Sequence, residues 1–364
     1  MRVCVFGTRG FPYVEGGVEK HCEMLYPKLR DDIETILFRR KPYVNSADVY
    51  KNIRFVDLPS TKIKGVETLI HSFFASVYVV RLRPDVVHIH NIGPGLFSPL
   101  FKLFSIPVVL TYHSPNYEHK KWGKFARSVL RFCEFVALNT ADKIIFVNRF
   151  QMEKFAPKIR DKSVYIPNGI CMPETELESS TLEKYGLEPE KYILSVGRIT
   201  PEKGFHTLIE AFKLQENARC KLVIAGGVEF EENYMKNLQQ LAGDASVVFT
   251  GYVFGKELAE LYANTALFVL ASENEGFPRV LLEAMSYRRN VLVSDISATH
   301  LVKLDQDDYF PAGDVQALGL RLSKKWNEPA ERDYDLSAFS WDRIAEQVSE
   351  IFVNAAAERM GRVE

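Results

Sequence analysis

The sequence has little cysteine and places it without pattern: Cys4, Cys22, Cys133, Cys171 and Cys220 are odd in number and include no CxxC pair. A disulfide framework and a cysteine-held metal are thereby excluded, and a reducing compartment is expected. Long apolar runs are also missing. The two richest stretches, residues 66–80 and 86–112, are broken by Glu67 and His71 in the first and by His88, His90, Pro94, Pro99, Lys102 and Pro107 in the second. Neither reads as a membrane-spanning helix. The opening RVCVFG lacks the basic, apolar and small-residue succession of a secretion signal, so a cytoplasmic protein is the expectation. No internal repeat or low-complexity segment is present.

Net charge is nearly absent too, −1 over 364 residues, but its distribution is uneven. Residues 1–168 hold 26 Lys and Arg against 15 Asp and Glu, and the remainder holds 20 against 32. A basic first half suits an anionic membrane surface, a phosphorylated acceptor or nucleic acid, and on charge alone a solvated surface explains it equally well.

What is present is the composition of a soluble globular protein, 46% hydrophobic and 26% charged, with length for two cores. Short apolar runs alternate with segments of helical period: RVCVFG, ETILFRR, DVVHIH, PVVLTYH, KIIFVN and SVYIPN, then YILSVG, KLVIAGG, SVVFTG, LFVLAS and VLVSD. This alternation predicts an α/β protein of two Rossmann-like, doubly wound parallel-sheet domains. The expected limits are residues 1–172 and 190–340, with a polar linker in 173–191. A closing helix over 341–364, apolar at Ile344, Val348, Ile351 and Phe352, is expected to pack back toward the first domain. Ligands of such sheets gather outside the carboxyl ends of the strands, which directs attention to the loops after each run.

After the first run, GTRGFPYVEGGVEK crowds Gly7, Gly10, Gly16 and Gly17 into a loop that opens a helix. The spacing is not GxGxxG, yet a glycine pair at a helix start lets backbone N–H groups approach a phosphate; taken alone, the loop is as well explained by turn chemistry. After YILSVG come Arg198, Thr200, Pro201, Glu202 and Lys203. Thr200 is the expected N-cap and Pro201 the first helical residue, so two cations would flank a positively polarised helix end, a seat for a diphosphate. The most specific stretch is ASENEGFPRVLLEAM, with Glu275 in a loop, a Gly276-Phe277-Pro278 turn, and Glu283 inside an apolar run. A carboxylate buried there needs a partner, which sugar hydroxyls would supply. His88 and His90 share a strand face, and with no third ligand at metal spacing, packing is the expectation. Asp305 and Asp307 form a DxD pattern that reads as a polar turn, and no metal is expected.

Together these segments carry a family likeness. EGFPRVLLE resembles the E-x7-E motif of the retaining glycosyltransferases of family 4, GRITPEKG resembles that family's Arg/Lys diphosphate-binding segment, and the likeness runs from EGGVE to FSWDRIAEQ. The resemblance implies a GT-B fold, two domains facing a central cleft, and transfer of a sugar from a nucleotide diphosphate donor with retention, without cofactor or metal. It implies that Arg198 and Lys203 hold the diphosphate, Glu283 binds the ribose hydroxyls, Glu275 contacts the transferred sugar, and Gly276, Phe277 and Pro278 belong to the same donor-binding turn. Gly16 and Gly17 would approach the phosphate from the first domain, and His113, which ends PVVLTYH, would lie near the reacting centre. Backbone groups around Gly226, Gly227 and Tyr252 are expected to meet the base.

The opening and TYHSPNYEHKKWG are similar to enzymes that build bacterial surface polysaccharides, which implies a lipid-linked saccharide acceptor and no nucleic-acid partner. Lys120, Lys121, Lys124, Arg127 and Arg131 would rest on the anionic inner face of the cell membrane. The sequence departs from the family where a glycine-proline turn usually follows the glutamates: Arg288 and Asn290 stand there, and SDISATHLV lacks the usual acidic residue and carries His300 nearby. Competing readings are a nucleotide-sugar epimerase or phosphorylase of the same architecture and a catalytically silent nucleotide-sugar-binding protein. Arg198, Lys203, Glu275 and Glu283 in one chain weigh against the last.

Overall fold

The computed structural model describes residues 1–14, 16–44, 49–63, 66–115, 117, 123–170, 173, 180–215, 220–228 and 232–360. The chain divides into two compact units, Met1–Gly169 with Ala338–Glu364, and Ile170–Ser337.

The N-terminal unit is built on seven parallel strands, β1 (Arg2–Phe6), β2 (Glu34–Arg40), β3 (Ile53–Leu58), β4 (Val86–His90), β5 (Val108–Tyr112), β6 (Lys143–Phe146) and β7 (Ser163–Tyr165), in the order β3-β2-β1-β4-β5-β6-β7. Every residue of β4 and β5 is buried, because crossover helices cover both faces of the sheet. Cys4, Phe6, Val87, Ile89, Val108 and Leu110 face one layer; Val3, Val5, Val86, Val109 and Ile145 face the other. That second layer includes the final helix, Trp341–Met360, whose Ile344, Val348 and Phe352 are buried with Trp341 in the same core. Its polar face pairs Asp342 with Lys28 and Glu346 with Arg30. Such exposed pairs contribute little, so the apolar stripe sets the docking.

The C-terminal unit has six parallel strands, β8 (Tyr192–Val196), β9 (Lys221–Ala225), β10 (Val247–Gly251), β11 (Leu267–Leu270), β12 (Val291–Asp295) and β13 (Tyr309–Pro311), ordered β10-β9-β8-β11-β12-β13. In both sheets the strand order reverses beside the first strand, between β1 and β4 and between β8 and β11. Loops leaving those strands diverge, which opens a crevice at the carboxyl ends.

Two expectations need correction, and a third, the polar turn at Asp305 and Asp307, holds. The alternating runs omit β3 and β13, both at sheet edges: β3 is partly exposed and carries no continuous apolar run, and β13 is only three residues long. The expected linker contains a helix, Ser180–Tyr185, tied into the C-terminal unit by Thr181 N–H donating to Glu260 at 3.1 Å and by buried Leu182; Glu174–Ser179 lie outside the described residues. Asp305 and Asp307 are indeed a turn, but one locked by charge: Asp307 pairs with Arg321 and Lys324, and Asp305 with Arg332 at 2.8 Å.

Candidate functional site

In the C-terminal unit the two motif loops leave β8 and β11, the pair of strands at the order reversal. The first contains Arg198, which is exposed, then a short 3-10 turn, Pro201–Lys203, and only after Gly204 the regular helix Phe205–Lys213. Thr200 takes the N-cap position of that turn with Pro201 directly after it, as expected, but its side chain makes no capping bond, and the regular helix is capped at Gly204 instead. Thr200 Oγ1 is buried without a hydrogen-bond partner, because the tight 3-10 turn is closed by backbone bonds, Lys203 N–H to Thr200 O among them, rather than by a side chain. Gly204 takes φ 65°, and a Cβ there would come within 2.0 Å of the Ala271 carbonyl oxygen. Only glycine lets the two loops lie this close. A second tie is Glu273 N–H donating to Glu202 O at 2.9 Å.

This closeness brings Lys203 Nζ to 2.6 Å from Glu275 Oε1, with the Ser272 hydroxyl donating to the same oxygen at 2.8 Å. The side chains are 16% and 9% exposed, so a cation and a carboxylate are held together, nearly dry, at the strand ends. Gly276, Phe277 and Pro278 lead into the helix Arg279–Ser286, and Glu283 lies half-buried one turn in. Its partner is in the protein: the buried Tyr262 hydroxyl donates to Glu283 Oε2 at 3.0 Å, and the Tyr262 ring stacks on Tyr287. Burial first, and the Glu283 charge second, push the Tyr262 hydroxyl well above its usual pKa, which keeps it a donor. The expectation that Glu283 needs a sugar to satisfy it is therefore incomplete. Gly227 lies against the Tyr252 ring, which stacks in turn on Phe254; both rings are exposed.

The departures from the family pattern have a local account. Arg288 follows the helix end with φ 58°, the left-handed conformation usually given to glycine, and is held by Asp333 at 2.8 Å and Glu331 at 3.7 Å. Asn290 is buried and donates to Glu328 at 3.3 Å. His300 bonds to Asp295 at 2.7 Å and stacks on Tyr309.

In the N-terminal unit, Gly16 (φ 147°) caps the helix Gly17–Leu25, and a Cβ on it would meet Glu19 Oε2 at 2.0 Å. Glu19 is buried and braces the β1 loop, accepting from Arg9 N–H at 3.0 Å and from the Thr8 hydroxyl at 3.3 Å. His113 follows β5 and joins a buried chain of hydrogen bonds. His113 Nε2 meets His90 Nδ1 at 3.0 Å, His90 Nε2 meets the Tyr26 hydroxyl at 2.6 Å, that hydroxyl meets His88 Nδ1 at 2.8 Å, and His88 Nε2 meets Thr111 Oγ1 at 2.7 Å. A neutral imidazole carries one N–H, so His88 and His90, each bonded at both ring nitrogens, donate at one and accept at the other, and the His113 and His90 tautomers are coupled through the bond they share. The expectation that no third ligand stands near His88 and His90 is corrected for His90. His21, from the helix Gly17–Leu25, lies with His90 and His113 so that their ligand atoms fall within 4.8 Å. Topology, not spacing, assembles these donors. Both His90 nitrogens are already engaged by Tyr26 and His113, and His21 Nδ1 by Asn168 at 2.7 Å, which favours a hydrogen-bonded role over ligation. The final helix covers the cluster, with Trp341 edge-on to His21 and Phe352 edge-on to His88.

Burial makes protonation of these rings unfavourable, His88 being lowered to about 3 and His90 and His113 well below the usual value, and it lowers His71, on the separate helix Val66–Leu82, to about 3 as well. The unfolded chain then binds more protons than the folded one below pH about 6.5, so stability is lost as pH falls from there toward 3. Chemical denaturation followed at pH 7.5, 6 and 5 is expected to show a progressively lower midpoint; a flat profile contradicts the neutral, buried cluster. Among signals missed in the sequence, Glu19 stands three residues after Gly16, the spacing of a helix-start brace, whereas Tyr262, Ser272, Tyr26 and Asn168 have no local pattern. Lys120 and Lys121 lie outside the described residues.

Comparison with known proteins agrees with this fold. The model described as Glycosyltransferase Family 4 matches residues 15–172, and that described as Glycosyl transferases group 1 matches residues 180–329. An uncharacterized glycosyltransferase of Methanocaldococcus jannaschii is 27% identical, the match spanning 96% of this chain and 97% of that protein. The alpha-monoglucosyldiacylglycerol synthase of Streptococcus pneumoniae is 24% identical over 98% of this chain and 86% of its own. Among solved structures, Anabaena HepE in complex with UDP and glucose aligns with a TM-score of 0.68 at 18% identity, covering 100% of this chain and 98% of that one. The two sheets, the paired motif loops at the reversal of the second and the two consecutive family matches lead to one conclusion: the chain belongs to the glycosyltransferases of the GT-B fold class, with a family 4 domain followed by a group 1 domain.

Proposed function

We propose that this protein moves a sugar from a nucleoside diphosphate donor to a lipid-linked saccharide, with retention at the anomeric carbon and without a metal. The observation that carries the reading is the Lys203–Glu275 pair, 2.6 Å apart and nearly dry beside the β8–β11 reversal. The anomeric carbon's bond to the diphosphate oxygen breaks, negative charge grows on that oxygen, and Lys203 and Arg198 stabilise it as it grows. The acceptor oxygen bonds to the same face of the carbon, and its proton passes to the departing diphosphate. Glu275 contacts the transferred sugar, and Glu283 takes the ribose hydroxyls. Two protein cations do the work a divalent ion does elsewhere, while Asp305 and Asp307 are committed to Arg332, Arg321 and Lys324. A donor bearing UDP is supported by the UDP and glucose held by the Anabaena neighbour, and a lipid-borne acceptor by the name of the pneumococcal relative and the basic N-terminal half. That acceptor would be met at the inner face of the membrane.

UDP-, GDP- and dTDP-sugars are to be assayed for binding, then for turnover with and without a lipid-linked acceptor, in the presence of EDTA. The expected result is acceptor-dependent release of nucleoside diphosphate, unaffected by EDTA, giving a product of the donor's anomeric configuration. Conversion of the sugar nucleotide without acceptor identifies an epimerase instead, and binding without turnover identifies the silent protein.

A further inference from the structure

Two long helices of the N-terminal unit are built inside out. In Val66–Leu82 the buried positions are His71, Ser72, Ala75, Ser76 and Val79, while Leu69, Phe73, Phe74 and Tyr78 are exposed. In Lys124–Thr140 the buried positions are Cys133, Ala137 and Leu138, and Phe125, Val129, Phe132 and Phe135 stand in solvent, Phe125 at 84% and Phe135 at 65% exposure. The short helix Ser98–Leu103 between them ends in Leu103 and Phe104, also exposed. It contacts both long helices, and all three pack round the turn Pro94–Phe97, so these side chains share one side of the sheet. Single exposed apolar residues are ordinary; aromatic side chains left exposed on neighbouring helices, the two longer of which turn mostly small or polar residues inward, mark an interaction surface.

Charge selects the occupant. Arg81, Lys102, Lys124 and Arg131 are exposed on the same helices. Only two acidic residues occur in the three helices, Glu67 and Glu134, and both are turned to protein partners: Glu67 to Tyr43 and Arg40, Glu134 to Tyr112 at 2.6 Å and Tyr117 at 3.2 Å. The face therefore offers aromatic side chains and cations with its acids withdrawn. Aromatic rings settle at the boundary of headgroups and acyl chains, and long cationic side chains reach back to lipid phosphates. No helix among the described residues is long and apolar enough to cross a membrane, so the contact is with one leaflet. We infer that this three-helix face docks the protein on an anionic lipid bilayer, through Phe73, Phe125, Phe132 and Phe135 with Lys124 and Arg131 beside them. The assignment rests on the lipid-linked acceptor proposed above, which such docking brings within reach.

The test is co-sedimentation with vesicles of phosphatidylcholine, alone and with about a quarter phosphatidylglycerol, beside light scattering of the free protein. The wild type is expected to bind the anionic vesicles, less so in high salt. A Phe73→Ser, Phe132→Ser, Phe135→Ser triple variant is expected to bind at least about tenfold more weakly, with unfolding midpoint and donor turnover on a soluble acceptor unchanged. Lys124→Glu with Arg131→Glu, which leaves the rings in place, is expected to remove the preference for anionic lipid. Absence of vesicle binding by the wild type, or equal binding by the triple variant, overturns the assignment. So does a wild-type dimer that the triple variant converts to monomer without any vesicle effect, since the face is then a contact between copies. Donor turnover without vesicle binding sinks docking alone; vesicle binding without any donor turnover sinks the transferase reading and leaves docking standing.

Discussion

Lys203→Ala is expected to lower kcat by about 10²–10³-fold, the loss seen when one donor facing a developing oxyanion is removed. The charge on the leaving diphosphate is larger in the transition state than in the bound donor. The loss should therefore fall mainly on kcat, with KM changing much less. Position makes Lys203 the critical cation. It is 16% exposed and held by Glu275, whereas Arg198 is exposed and shares its field with water, so Arg198→Ala is expected to lose less. Deleting Lys203 also leaves Glu275, 9% exposed, with the Ser272 hydroxyl as its remaining named partner, which by itself perturbs the loop. The two effects separate in Lys203→Arg and Glu275→Gln. The first keeps the charge and should recover part of kcat; the second removes the carboxylate charge but keeps an oxygen to accept from Lys203 and Ser272, and should lower turnover while lowering the unfolding midpoint no more than Lys203→Ala does. If Lys203→Ala turns over at the wild-type rate, the leaving group does not sit at the β8–β11 reversal, and the reaction assigned to this unit is wrong.

The second large effect is structural and concerns the same loops. Gly204→Ala is expected to destabilise the C-terminal unit by about 3 kcal/mol, from the cost of an L-residue in the left-handed region plus the overlap of the new methyl with a backbone oxygen. The overlap is with the Ala271 carbonyl at 2.0 Å, which cannot rotate away as a side chain could. Relief requires the β8 loop and the β11 loop to part, and that separates Lys203 from Glu275. Donor affinity and unfolding midpoint should thus fall together, as urea denaturation and nucleotide titration of the same preparation would record. Gly251→Ala is the control, because it shares a positive φ of 70° but has nothing within 4 Å of its Cβ. Its cost should be the backbone part alone, about 1–2 kcal/mol. Equal losses at both positions would mean that close approach of the two loops contributes nothing.

How far the site was legible in the chain differs from residue to residue. The interior strands could be read because parallel sheets covered on both faces demand unbroken apolar runs, and DVVHIH and PVVLTYH are such runs. The edge strands β3 and β13 could not, since a strand with one free edge tolerates exposure and β13 has only three residues ending in Pro311. Glu275 and Glu283 were visible through their spacing, and Lys203 through its place after a strand. Their protein partners Ser272 and Tyr262 were not. Ser272 is too common a residue to stand out, and Tyr262 comes from a separate helix, Gly255–Asn264, 21 positions before the carboxylate it serves. The histidines show the limit most clearly: local spacing offered His88 and His90 as an isolated pair, and chain folding joined them to His21, His113 and Tyr26.

The sequence by itself determined the architecture of each unit and the loops in which the chemistry would lie. Hydrophobic period and strand-end placement are local properties that survive without coordinates. Tertiary structure alone decided which charges meet, which hydroxyl holds Glu283, how the histidines are wired together and which helices turn their aromatic side outward. Each of these depends on approach between residues far apart in the chain, and the free energy of a hydrogen bond or an exposed ring is set by distance and by access of water, neither of which is written in the order of residues.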